Sequence, residues 1–451
     1  MPLFGTDGVR GVANDTLTVD LAGRLARIVG ESLGPRARVV VGRDTRVSGS
    51  MLEAASVAGL LEAGVNAVSV GVLPTPAVAY LVPALHADAG LVISASHNPP
   101  EYNGLKWLQR DGTKFTDDME ADVERALSAD RLWRAPGREI GSWQNAPEAL
   151  ERYRSHLVSL FLGRLAPLRV VVDLGHGAAA STAADVLQRL GCQVDVLYGE
   201  PHGHLINVGC GATHPERGAE AVRVRGYDVG FSFDGDADRV MAADADGRVL
   251  NGDAILYVLA RGMAAEGRLP GRRIITTVMA NLGLERALQK DGIAMERTQV
   301  GDRFVAARMA QAGASLGGEQ SGHVILADWA VTGDGLLTAL AVLREMARTG
   351  KPLADLAAGL TAYPQVLTNV KLGQIPSGWR EVPAIRHAID AAERDLGEEG
   401  RVLVRPSGTE PLLRIMLEGR DEGQITEWAD RLAAVVQEAL GSATASSESA
   451  N

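Results

Sequence analysis

Short apolar runs alternate with helical periodicities along most of this chain, and that alternation admits few folds. Val39-Val40-Val41 leads through a polar loop into an apolar-periodic segment, Met51 to Leu61. Ala67 to Val72 and Gly90 to Ile93 have the same strand character, each ending in a turn-rich loop. Units of this kind build mostly parallel sheets covered by helices. The pattern restarts at Arg169-Val170-Val171-Val172, with a loop over Asp173 to Gly177, a helix over Ser181 to Leu190 and a strand over Asp228 to Phe233. It restarts again with a helix over Asp253 to Ala265 and a strand over Ile274 to Val278. Helices follow over Leu282 to Gln289, Phe304 to Gln311 and Gly335 to Ala347. After Tyr363-Pro364 the grammar changes to a strand over Val366 to Leu372, a helix over Ala384 to Leu396, paired strands flanking Ser407 and a final helix. The expected class is therefore α/β. Three similar mixed or parallel α/β domains, 1–150, 151–250 and 251–364, precede a smaller C-terminal α+β domain, 365–451, around a central cleft. The small polar residues Ser442 to Asn451 read as a disordered tail.

Composition narrows the partners. A net charge of −11 argues against a broad nucleic-acid surface, which needs an excess of Lys and Arg. It leaves room for a phosphorylated substrate, since a site can be locally cationic on an acidic protein. No apolar run approaches the roughly 20 residues that span a bilayer, and the opening lacks a signal-peptide pattern. Two cysteines, Cys192 and Cys210, are too few for a disulfide framework and point to a cytoplasmic location. The 52 glycines exceed the ~30 that average usage would give. Many stand in short clusters between apolar runs, where backbone turns tightly or approaches a ligand.

Four such clusters carry chemistry. Ile93-Ser94-Ala95-Ser96-His97-Asn98-Pro99-Pro100 closes an apolar strand, so its serine faces the region beyond the sheet's carboxyl edge where ligands bind. Taken alone, it equally suits a loop that only turns the chain. Phe233-Asp234-Gly235-Asp236-Ala237-Asp238-Arg239 closes another strand, and its alternate carboxylates can converge on one hard cation. Three carboxylates leave coordination positions for a phosphate oxygen or water, as Mg²⁺ prefers; a solvated acidic turn is the plainer alternative. Gly317-Gly318-Glu319-Gln320-Ser321-Gly322-His323 offers an acceptor, a hydroxyl and an imidazole suited to gripping sugar hydroxyls. Arg405-Pro406-Ser407-Gly408-Thr409-Glu410-Pro411, with Arg414 nearby, has the makings of a phosphate cradle or of an ordinary hairpin loop. Two more stretches, Phe4 to Gly11 and Gly42-Arg43-Asp44-Thr45-Arg46, carry arginines that either face anions or lie on solvated loops.

In this order, and roughly one per domain, the four strings closely resemble the α-D-phosphohexomutase family over essentially the whole chain. The wording FGTDGVRG, ISASHNPPEYNG, GEQSGH with TGDG, and RPSGTEP is most similar to the branch acting on glucosamine phosphates. The resemblance implies an isomerase interconverting α-D-glucosamine 6-phosphate and 1-phosphate through a phosphoserine and a 1,6-bisphosphate, feeding cell-wall synthesis. It implies that Ser96 carries the phosphoryl group. Asp234, Asp236 and Asp238 would bind one Mg²⁺ per subunit, joined by an oxygen of phosphorylated Ser96. Lys106 and Arg10 would flank the reacting phosphate, with Lys106, His97 and His323 as proton-transfer candidates. Glu319 and Ser321 would hold sugar hydroxyls. Arg405, Ser407, Gly408, Thr409 and Arg414 would hold the other phosphate. A hexosamine or glucose 1,6-bisphosphate would serve as activator or intermediate, an activating kinase or bisphosphate donor would prime Ser96, and relatives suggest a homodimer. No nucleic-acid or membrane partner is expected. A phosphomannomutase or phosphoglucomutase of the same fold, a Mg²⁺-dependent sugar phosphatase, and a non-catalytic phosphosugar-binding protein are the competing readings.

Overall fold

The computed structural model describes residues 3–5, 7–129, 133–163, 165–406 and 412–441. Ser407, Gly408, Thr409 and the tail from Ser442 lie outside them. The described residues fall into two compact units, one drawn from 1–280 and 291–359, the other from 281–290 and 360–441.

The first unit contains three sheets. In the first, Arg38–Arg43 pairs in parallel with both Asn66–Val72 and Ala89–Ile93, and the uninterrupted burial of Ala89–Ile93 explains its continuous apolar character. Its far edge is antiparallel: Tyr102–Leu108 lies beside Ala89–Ile93, and Val9–Val12 beside Tyr102–Leu108. The sheet is therefore mixed, in agreement with the mixed or parallel class expected from the sequence. Its antiparallel edge arises because the Ser96 loop turns the chain back on itself as a hairpin rather than crossing over through a helix. The second sheet has Arg169–Asp173 in parallel between Gln193–Leu197 and Val229–Phe233, extended by the antiparallel strand Val240–Asp244. In the third, Arg273–Thr277 pairs in parallel with Ala294–Thr298, and the short hairpin Leu316–Gly318 and Val324–Leu326 completes it.

The second unit has a three-stranded antiparallel sheet, with Leu412–Gly419 between Gln365–Lys371 and Gly400–Pro406. Helices Pro383–Leu396 and Glu422–Gly441 pack their apolar faces on it, burying Ile385, Leu396, Ile425, Leu432 and Val436. Helix Leu282–Lys290, which precedes this segment by some distance in sequence, belongs to the same unit. Asn281 ties it there, donating to Tyr363 O at 3.0 Å and accepting from Tyr363 N at 2.9 Å.

Two packing features hold the third sheet's functional loop. Helix Gly252–Ala265 starts against the 319–322 turn so closely that a Cβ on Gly252 would lie 2.0 Å from Glu319 O. Asp334 begins helix Gly335–Thr349, accepting from Leu337 N at 2.9 Å, while Tyr153 of helix Ala149–Phe161 donates to its other oxygen at 2.6 Å. Burial pushes the Asp334 carboxyl up to about 6 despite those donors.

Both features are testable. Gly252→Ala should lower unfolding stability by about 1–3 kcal/mol, read as a lower urea midpoint at unchanged m. For Asp334, the folded state holds its proton more tightly than the unfolded chain. Stability from this group is full below pH ~4 and is lost as pH rises to about 6. Asp334→Asn keeps the cap and cannot ionise, so across that window it should gain on the parent by on the order of 2 kcal/mol. Parallel pH profiles of the two proteins would refute the shift.

Candidate active site

The serine loop and the acidic loop each leave the carboxyl end of a parallel strand, Ala89–Ile93 and Val229–Phe233, and meet. Ser96 is buried, and its hydroxyl donates to Asp234 Oδ2 at 2.6 Å. Its φ of +51° is left-handed, a conformation that costs a non-glycine residue about 1–3 kcal/mol and survives only where surrounding contacts enforce it. His97 Nδ1 lies 3.5 Å from the Ser96 oxygen. Burial, followed by Arg239 and Arg10, pushes His97 down to about 4, so the ring is neutral near pH 7.

Asp234, Asp236 and Asp238 are all buried, with one carboxylate oxygen of each within 4.8 Å of the others. Gly235 between them packs where a Cβ would lie 2.7 Å from Ser96 O, so the close approach of the two loops requires glycine. Burial and the two neighbouring carboxylates push Asp234 well above the usual carboxylate range. Asp236 Oδ1 and Asp238 Oδ1 have no hydrogen-bond partner among the described residues. Three converging oxygen ligands with unsatisfied lone pairs fit a hard divalent cation.

Cations already present offset part of this charge. Lys106, on Tyr102–Leu108, is 2.7 Å from Asp236, 2.9 Å from Asp7 and 3.8 Å from Asp238. Burial alone would lower its pKa, but those carboxylates raise it, and Lys106 is a firmly held ammonium. Asp7 also meets Arg10 and Lys114, and Lys114 continues to Asp302. His323 closes the circuit, with Nδ1 3.6 Å from Asp238 and Nε2 3.5 Å from Asp302. Gly333 N donates to Nε2 at 3.1 Å, which leaves Nδ1 to carry the proton toward Asp238. Asp238 is held low because Lys106, His323 and Arg239 outweigh its burial.

Glu319 and Ser321 lie on the adjoining turn, which docks on the acidic loop's outgoing strand through Val240 N to Gly322 O at 3.1 Å. Glu319 accepts from Gly301 N at 3.1 Å and from Ser321 Oγ at 3.3 Å. Arg10 Nη1 donates to Asn98 Oδ1 at 3.0 Å, tying the opening strand to the serine loop. In the second unit, Arg405 and Arg414 face each other across paired strands. Burial and then the neighbouring Arg414 guanidinium lower the Arg405 pKa.

The structure thus brings Ser96, His97, Lys106, Arg10, the three aspartates, Glu319, Ser321 and His323 together. Sequence reasoning missed Asp7, Lys114 and Asp302. Asp7 stood within a glycine-rich string already singled out, whereas nothing local marks Lys114 or Asp302. One expectation is corrected. Arg46 neither is directed to a ligand anion nor lies on a solvated loop: it is fully buried, paired with the protein's own Asp44 at 3.0 Å, and donates to main-chain carbonyls of the serine loop.

Comparisons with known proteins identify the family. The phosphoglucomutase/phosphomannomutase models match in series: alpha/beta/alpha domain I over 1–132, domain II over 151–247, domain III over 251–363 and the C-terminal domain over 367–435. A phosphoglucosamine mutase from Moorella thermoacetica is 49% identical over 94% of this chain and 96% of its own length. A solved phosphoglucomutase/phosphomannomutase family protein from Burkholderia thailandensis has 28% identity and a TM-score of 0.82, with 97% of each chain covered. N-acetylphosphoglucosamine mutase from Aspergillus fumigatus, solved with GlcNAc-6P and magnesium, shares the fold at 16% identity and a TM-score of 0.69, covering 97% of this chain and 96% of that one. With a serine hydroxyl held on a buried aspartate triplet, all four domain models in order and a near-full-length relative, the chain belongs to the phosphoglucomutase/phosphomannomutase family, the α-D-phosphohexomutases.

Proposed function

We propose that this enzyme interconverts α-D-glucosamine 6-phosphate and α-D-glucosamine 1-phosphate, with Ser96 as phosphoryl carrier and a 1,6-bisphosphate as intermediate. The observation that carries the reading is the 2.6 Å hydrogen bond from Ser96 to Asp234 within the buried triplet. The amino-sugar substrate is supported by the Moorella thermoacetica relative.

O6 and O1 lie at opposite ends of the sugar, so a direct shift of one phosphate between them is geometrically unfavourable. A phosphorylated Ser96 removes the difficulty. It gives its phosphoryl group to the free hydroxyl, the bisphosphate turns over, and the other phosphate returns to Ser96. In each transfer the bond from phosphorus to the departing oxygen breaks as the bond to the attacking oxygen forms. The attacking hydroxyl loses a proton and the departing oxygen gains one. Such transfers depend chiefly on positioning and charge neutralisation.

Asp234, Asp236 and Asp238 would hold Mg²⁺, which when bound neutralises phosphoryl oxygens. Lys106 and Arg10 add positive field, and Lys106, His97 and His323 are the proton-transfer candidates of this reading, Lys106 as an ammonium able to give a proton to the departing oxygen. Glu319 and Ser321 hold sugar hydroxyls. The phosphate that is not reacting is assigned to Arg405, Ser407, Gly408, Thr409 and Arg414. The divisions 1–150, 151–250, 251–364 and 365–451 give each motif its own domain. A kinase or a hexose 1,6-bisphosphate primes Ser96, and the enzyme works as a cytoplasmic homodimer supplying cell-wall precursors. Among the described residues no helix is long and apolar enough to cross a membrane.

A phosphorus NMR time course with glucosamine 6-phosphate, Mg²⁺ and a trace of glucose 1,6-bisphosphate tests the proposal, with glucose and mannose 6-phosphates in parallel. Glucosamine 1-phosphate should appear fastest. Ser96→Ala should slow turnover by about 1,000-fold or more. Faster glucose or mannose signals would move the substrate assignment, and inorganic phosphate alone would reject the mutase. Chelation should stop turnover, Mg²⁺ should restore it, and Asp236→Asn should weaken Mg²⁺ binding in a calorimetric titration.

A further inference from the structure

The left-handed backbone of Ser96 needs external support, and the donors that supply it come from two different sheets. Arg46 follows strand Arg38–Arg43. Its Nη2 donates to Ser96 O and to Asn98 O, each at 2.8 Å, and its Nη1 to Tyr102 O at 2.9 Å and also to Pro99 O. Asn207 lies in the segment between strand Gln193–Leu197 of the second sheet and helix Glu216–Arg225. Its Nδ2 donates to the same two carbonyls, at 2.9 Å for Ser96 O and 3.2 Å for Asn98 O. Both lone pairs of each carbonyl are thereby engaged.

The two donors are themselves fixed. Asp44 accepts from Arg46 Nε and from Arg46 N, both at 3.0 Å, which sets the guanidinium plane. The same carboxylate accepts from Ser94 Oγ at 2.6 Å, and Ser94 Oγ accepts from Ser96 N at 2.9 Å. The N–H and the C=O of Ser96 are therefore tied to one buried ion pair. Asn207 donates its own N–H to Gly175 O at 3.0 Å, and Asp173 accepts from Gly175 N at 3.0 Å and from Gly211 N at 2.9 Å. That places Asn207 between two turns pinned on one carboxylate.

We propose that Arg46 and Asn207 are positioning residues for phosphoryl transfer, clamping the Ser96 carbonyl so that the serine oxygen points at the aspartate triplet. Fixing the N–H and the carbonyl of Ser96 fixes where Cβ points, and the hydrogen bond to Asp234 then selects the rotamer that carries Oγ. Because Asn207 lies in a connection between strands of the sheet that also leads into the triplet, it registers the serine loop against the acidic loop. Arg46 alone would hold the loop only within its own sheet. The inference rests on Ser96 being the phosphoryl carrier.

The test uses full-length Asn207→Asp, which keeps the shape and removes the donor, together with Asn207→Ala and Arg46→Lys. Turnover and KM for glucosamine 6-phosphate are measured beside thermal midpoints, with Ser96→Ala run in parallel. Each clamp variant should lose about 10- to 100-fold in kcat, while KM stays within about twofold and the midpoint within about 5 °C. The clamp is overturned if the Asn207 variants keep kcat within about twofold of the parent. It is equally overturned if kcat, KM and midpoint fall away together, as a purely structural role requires. If Arg46→Lys fails to fold, the two Asn207 variants decide the matter. Full turnover by Ser96→Ala would instead reject the phosphoserine reading, leaving the two failures distinguishable.

Discussion

Three buried carboxylates within 4.8 Å of one another are the constraint to which the rest of the first unit responds. Taken out of water without partners, such a cluster would be strongly unfavourable, because desolvation and mutual repulsion act in the same direction. The protein offsets this with Lys106, Arg239 and the His323 imidazole, and it leaves two carboxylate oxygens without hydrogen bonds. The compensation is partial. Asp234 remains pushed well up while Asp238 is held low, so the site is electrostatically prepared for one more cation.

That preparation extends outward as carboxylates alternating with basic groups. Asp236, Lys106, Asp7, Lys114, Asp302, His323 and Asp238 form a closed circuit drawn from all three sheets of the unit. Each member is buried or nearly so, where screening by salt is weak and the loss of one partner leaves the next uncompensated. The arrangement therefore couples the serine loop, the acidic loop and the Glu319 turn into one electrostatic body. Local geometry reinforces it. Gly235 and Gly252 allow main chains to approach more closely than any side chain would permit.

Much of this was legible beforehand for a simple physical reason. Ligand-bearing loops at the carboxyl ends of buried parallel strands are short, so Ser96 and the Asp234 triplet appear as compact strings directly after apolar runs. The hairpin around Glu319 and the paired strands bearing Arg405 and Arg414 have the same local character. Lys106 and Arg10 could be placed only through family resemblance. Each sits on an antiparallel strand at the first sheet's far edge, Arg10 within a glycine-rich stretch, and periodicity does not mark either as part of a site.

The sequence by itself determined the strand–helix grammar, the oxygen-ligand triplet and the serine that faces it, because each is encoded within a few consecutive residues. Only the tertiary structure decided the roles of Arg46, Asn207, Lys114 and Asp302. The contacts that decide those roles, Arg46 with Ser96, Asn207 with Ser96, Lys114 with Asp7 and Asp302 with Lys114, span 50, 111, 107 and 188 positions of the chain. A side chain's function in such a network is set by what folding brings against it. An arginine that braces buried carbonyls and one that binds a solvated anion have the same local spelling. Burial and the direction of the donors distinguish them, and both are properties of the packed sheets rather than of the string.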